Sequence, residues 1–93
     1  MLECMVIGDS IAVGVSHFRK ECITLAKSGI NSTNWNKVYI DRVQPSKAII
    51  ISLGSNDYKG INTYENLLKL RKKISNSKVY WIMPNEHIKH IAR

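Results

Sequence analysis

The sequence predicts an α/β fold, a parallel sheet with helices on both faces, from three observations. Short apolar runs alternate with stretches of helical periodicity, and each run breaks at a polar turn. The run Ala48-Ile49-Ile50-Ile51 is almost wholly β-branched, as in a strand covered on both faces. Connections of helix length between strands favour right-handed crossovers over hairpins. With 93 residues, the chain reads as one domain over 1–93 around a single core.

Residues 2–7 form the first expected strand, ended by Gly8-Asp9-Ser10. A helix is expected from Ser10 to about Lys20, with Ile11, Val15 and Phe18 on its buried face. Residues 22–26 give a second strand and Lys27-Ser28-Gly29 a second turn. Ser32 or Thr33 is expected to cap a second helix, in which Trp35, Val38, Tyr39 and Val43 recur at helical spacing until Pro45 stops it. A third strand over 47–53 ends in Gly54-Ser55-Asn56-Asp57. Thr63 is the expected cap of a third helix, whose inward stripe is Tyr64, Leu67, Leu68, Arg71 and Ile74. Residues 78–83 give a fourth strand closed by Pro84, and residues 85–93 a further helix with Ile88 and Ile91 as its apolar positions.

Composition narrows the class. Hydrophobic residues at 44% and charged residues at 23% are ordinary globular usage, which argues against disorder or a coiled coil. No apolar run is long enough to span a bilayer, and no leader pattern stands at the N-terminus, so a cytoplasmic protein without membrane contact is expected. Cys4 and Cys22 lack a metal-ligand spacing and read as free, buried thiols. A formal net charge of +7 raises nucleic-acid binding, but the basic residues are dispersed. The one cluster, Lys69, Arg71, Lys72 and Lys73, reads mainly as the wet side of a helix. An apolar strand over residues 79–83, from Val79 to Met83, would be a sheet edge and favours a homodimer through that edge.

Chemistry concentrates in the turns. Sheets of this kind bind ligands beyond the carboxyl ends of their strands, where the turns beginning at Gly8, Ser28 and Gly54 are expected to meet. A serine opening a helix directly after a buried strand is exposed and surrounded by backbone donors, which suits a nucleophile. The same donors can stabilise an oxyanion, and losing one typically costs about 3–4 kcal/mol of transition-state stabilisation.

Gly8-Asp9-Ser10-Ile11-Ala12-Val13-Gly14 after an apolar strand resembles the first block of the SGNH/GDSL hydrolases. Gly29 falls where that family has its second-block glycine, and Gly54-Ser55-Asn56-Asp57 is similar to its third block, Gly-x-Asn-Asp. The resemblance implies a three-layer, flavodoxin-like parallel sheet, here truncated to about four strands. It implies an esterase or acyl hydrolase in which Ser10 attacks an ester or O-acetyl group of a small molecule or carbohydrate. Ser10 N–H, Gly29 N–H and the Asn56 amide would form the oxyanion hole, with Gly8, Asp9, Gly54 and Asp57 as supports and no cofactor.

The family's later Asp-x-x-His block, which supplies the general base, does not occur in this sequence, so the pattern reads as incomplete at the C-terminus. His17 is about 10 Å from Ser10 along the expected helix, beyond hydrogen-bond reach. His87 and His90 follow the fourth strand and are the remaining candidates for a base, although neither has an aspartate three residues before it. They stand at i, i+3, but two ligands without a third assign no metal. The chain alone is therefore expected to be inactive. A non-catalytic ligand-binding module on the same fold and a basic nucleic-acid-binding domain are the alternatives.

Overall fold

The computed structural model describes residues 2–74 and 77–82. The helix expected over 85–93, with His87 and His90, and the end of the fourth strand at Met83 lie outside the described residues. Strands β1 (Leu2–Gly8), β2 (Ile23–Ala26), β3 (Ser46–Ser52) and β4 (Lys78–Trp81) alternate with helices α1 (Ser10–Ser16), α2 (Ser32–Tyr39) and α3 (Thr63–Lys73). A 3₁₀ turn at Ile40–Arg42 extends α2 toward Pro45. All strand pairs are parallel, in the order β2-β1-β3-β4, which is a small flavodoxin-like α/β arrangement.

Alternation along β1 sorts the core into two clusters. Met5 and Ile7 point to the face that α2 and α3 cover, where they join Leu25, Trp35, Ile49, Ile51, Leu67, Leu70 and Ile74. Trp35 is fully buried and its indole N–H donates to the Leu25 carbonyl at 2.8 Å, so its one polar atom is satisfied. Cys4 and Val6 point the other way, onto Ala12 of α1, with Val15, Ala48 and Ile50 around them. Full burial of each large aliphatic side chain contributes about 1.5–3 kcal/mol, and most of these residues lie on the α2/α3 face.

The structure corrects several local expectations. Helix α1 ends at Ser16, whose hydroxyl bonds back to the Val13 carbonyl at 2.6 Å. The amides of His17, Phe18 and Arg19 turn to carbonyls three residues back, and Phe18 is left 88% exposed rather than buried. Asn31, not Ser32 or Thr33, caps α2, accepting from the Asn34 amide at 2.8 Å. Asn62, not Thr63, caps α3 through the Glu65 amide at 3.0 Å. Val38, Tyr64, Leu68 and Arg71 face solvent; Leu67, Leu70 and Ile74 carry the inward stripe of α3 instead. Strand β2 starts at Ile23, and β4 is covered on one face only, because Val79 packs on the α3 side while Tyr80 is 53% exposed.

The cysteines are not free thiols. The register Met5↔Ile23 sets Cys4 beside Cys22, with Cα atoms 4.7 Å apart, and the two form a disulfide. Closing a loop of this length stabilises by about 3 kcal/mol in the chain-entropy account. No helix of the described residues is long and apolar enough to cross a membrane.

Candidate active site

Parallel register brings the three turns to one rim. Gly8 is paired with Ala26 on one side and Ser52 on the other, so β1, β2 and β3 end at the same height. The Lys27 amide donates to the Gly8 carbonyl at 3.0 Å and the Asp9 amide to the Ser52 carbonyl at 2.9 Å, carrying the pairing past the strand ends. Only glycine suits position 8. Its φ is +141°, and a Cβ there would run into the Ser52 carbonyl.

Asp9 is fully buried and ties the first turn to the third. One carboxylate oxygen accepts from the Ile11 amide at 3.1 Å, capping α1, and from the Ser52 hydroxyl at 3.5 Å. The other accepts from the Ser55 hydroxyl at 2.7 Å. With its carboxylate turned inward, the chain emerges at Ser10, which is exposed at the first position of α1. The backbone N–H of such a position has no acceptor within its own helix and is free for a ligand.

Asp57 does the same work between the third turn and the helices. It accepts from the Ser32 amide at 2.7 Å, the Ser32 hydroxyl at 2.5 Å and the Thr63 hydroxyl at 2.5 Å, joining the start of α2 to the start of α3. Asn66 adds bonds to the hydroxyls of Ser32 at 3.0 Å and Thr33 at 2.9 Å. Its own amide at 3.1 Å donates to the Asn62 carbonyl, keeping it in the first turns of α3.

These braces set the second and third turns against each other. Asn56 is exposed and donates one of its two amide hydrogens to the Ile30 carbonyl at 3.2 Å, directly after Gly29. Gly29 is exposed with φ +80°, and its Cβ position opens onto solvent. Gly54 is buried beneath the loop, its carbonyl accepting the Asp57 amide at 3.0 Å.

Ser10, Gly29 and Asn56 thus lie exposed on the three turns of one rim, while Asp9, Asp57, Gly8 and Gly54 form the frame below. His17 is the C-cap of α1, at the far end of that helix from Ser10. Sequence reading missed Ser32, Ser55, Thr63 and Asn66 as supports. Their only signal is short polar side chains near helix starts, and their partners, apart from neighbouring Asp57 and Thr63, stand tens of residues away in the chain.

The basic cluster behaves as a solvated helix end. Arg71, Lys72 and Lys73 occupy the last turn of α3, where positive charge complements the exposed carbonyls. Compared with models of known protein families, with curated proteins and with solved structures, the chain gives no match.

Proposed function

We propose that this rim is the acyl site of an SGNH/GDSL-type serine ester hydrolase, with Ser10 as nucleophile. The observation behind the reading is the register that ends β1, β2 and β3 together, so that three motif turns with this family's residues share one edge. Ser10 Oγ attacks the carbonyl carbon of an ester or O-acetyl group, and its proton passes to a general base. The carbonyl oxygen becomes an oxyanion held by the N–H groups of Ser10 and Gly29 and by the second amide hydrogen of Asn56. Collapse expels the alcohol with the proton returned by the base, and water then releases the acyl group from Ser10.

His17 is excluded as base by its place at the far end of α1, so the role falls to His87, to His90 or to a residue outside the 93-residue sequence. Without a base, turnover falls by roughly a millionfold in well-studied serine hydrolases, so the isolated chain is expected to hydrolyse esters poorly. The test offers p-nitrophenyl acetate to this chain and to the protein read from its whole natural frame, each with and without Ser10→Ala. Ser10-dependent hydrolysis by the whole-frame protein is the expected result. Inactivity of both, or activity indifferent to Ser10→Ala, overturns the reading.

Two narrower readings accompany it. A cytoplasmic location is proposed, against which the Cys4–Cys22 disulfide, a bond rare in that compartment, is the opposing observation, so a persistent disulfide in protein taken from cells would overturn it. Pairing of two copies along β4 is proposed because β4 is an edge strand among the described residues and its Tyr80 is exposed. A monomer in light scattering at high protein concentration contradicts that pairing.

A further inference from the structure

Away from the rim, near the start of β2, the structure gathers a second set of reactive groups. Cys4 leaves the sheet face near the start of β1, and Cys22 stands just ahead of β2 with Glu21 beside it. One ligand atom from each of the three residues lies within 4.8 Å of the others. Cys4 and Cys22, each 8% exposed, line an open groove of about 530 Å³. Glu21 is exposed, and its contact with Arg19 is loose at 3.8 Å between two solvated side chains, leaving the carboxylate free to turn.

We propose that, once the Cys4–Cys22 disulfide is reduced, Cys4, Cys22 and Glu21 bind a thiophilic divalent cation of the zinc class, so that disulfide and metal are alternative states of one site. The β1–β2 backbone pairing that begins at Met5↔Ile23 places Cys4 of β1 next to Cys22, just ahead of β2, and does not depend on the S–S bond, so the two sulfurs are expected to stay neighbours in either state. A tetrahedral ion with bonds of about 2.0–2.3 Å needs ligand atoms roughly 3.3–3.8 Å apart, within reach of small side-chain rotations from the observed arrangement. Two thiolates favour zinc over magnesium or calcium, and three protein ligands leave a fourth position for water. The chemistry balances. A thiol reductant gives two electrons and two protons to the disulfide and becomes a disulfide itself, and the cation then displaces both thiol protons.

The full chain, reduced with a phosphine and freed of metal, is titrated with Co²⁺ and then Zn²⁺ while thiolate-to-cobalt absorption and far-UV circular dichroism are recorded. One equivalent of Co²⁺ with a strong thiolate band, displaced by one equivalent of Zn²⁺, is expected. Unreduced protein should bind at least about a hundredfold more weakly, as should Cys4→Ser, and Glu21→Gln about tenfold more weakly. Because reduction or Cys4→Ser could loosen the fold, Cys22→Ala in Cys4→Ala background provides a thiol-free control whose dichroism reports the sheet alone. Absence of the band in reduced, folded protein overturns the proposal. So does an unchanged affinity in Glu21→Gln, or a band that develops only while the dichroism reports an unfolded chain.

Discussion

The rim is built as two rings with opposite habits. In the inner ring Gly8 and Asp9 are buried and Asp57 is half-buried, and both carboxylates are bonded within the protein: Asp9 to Ile11, Ser52 and Ser55, Asp57 to Ser32 and Thr63. The outer ring, Ser10, Gly29 and Asn56, is exposed, and among the described residues its side chains contribute one bond to the fold, Asn56 to the Ile30 carbonyl. A chain of this size has about 5–10 kcal/mol of stability in all. Leaving one buried partner of these carboxylates unsatisfied, at about 1–3 kcal/mol, is therefore a sizeable part of that total.

That contrast is broken if inner-ring substitutions are mild or outer-ring ones severe. The largest effect is expected from Gly8→Ala, which sets a Cβ against the Ser52 backbone at a positive φ. A loss of about 4 kcal/mol or more, read as a denaturation midpoint near zero or an unfolded dichroism spectrum, is the expected result. Asp57→Ala comes next. It strands the Ser32 amide and hydroxyl and the Thr63 hydroxyl, and a loss of about 2–4 kcal/mol in urea unfolding is expected, with α2 and α3 loosened before β1 in amide exchange.

Gly29→Ala sharpens the comparison, since the position is strained for alanine but has no neighbour to strike. A cost of about 1 kcal/mol is expected from the backbone alone. Ser10→Ala is the smallest in stability, within about 0.5 kcal/mol by the same unfolding measurement, while the ester cleavage proposed for the whole-frame protein is expected to be lost. A Ser10→Ala variant that unfolds easily would make Ser10 part of the frame and dissolve the distinction between the rings.

Element order was legible because local signals agreed: the isoleucines of β3, Pro45 after α2 and the turn residues at Gly8, Gly29 and Gly54 each mark a boundary on their own. The placement of Ser10, Gly29 and Asn56 in turns at the strand ends was legible for the same reason, each standing in a short motif after an apolar run. What depended on distant pairing was not. The Cys4–Cys22 bond follows from a register between β1 and β2 that periodicity cannot supply. Asn31 and Asn62 hold the caps assigned to Ser32 or Thr33 and to Thr63, while the Ser32 and Thr63 hydroxyls bond Asp57, for Ser32 a partner 25 residues away in another loop. Phe18 was placed in the core on helical spacing that stops at Ser16, after which the chain tightens and turns it outward.

The proposed convergence of the Ser10, Gly29 and Asn56 donors on one point is most directly tested by a crystal structure of the protein with a short alkyl phosphonate at the rim. A single phosphonate oxygen within about 2.7–3.1 Å of the Ser10 N–H, the Gly29 N–H and the Asn56 amide together is the expected result. A ligand bound elsewhere, or an Asn56 amide that stays on Ile30 and away from the oxygen beside Ser10, would contradict the assignment.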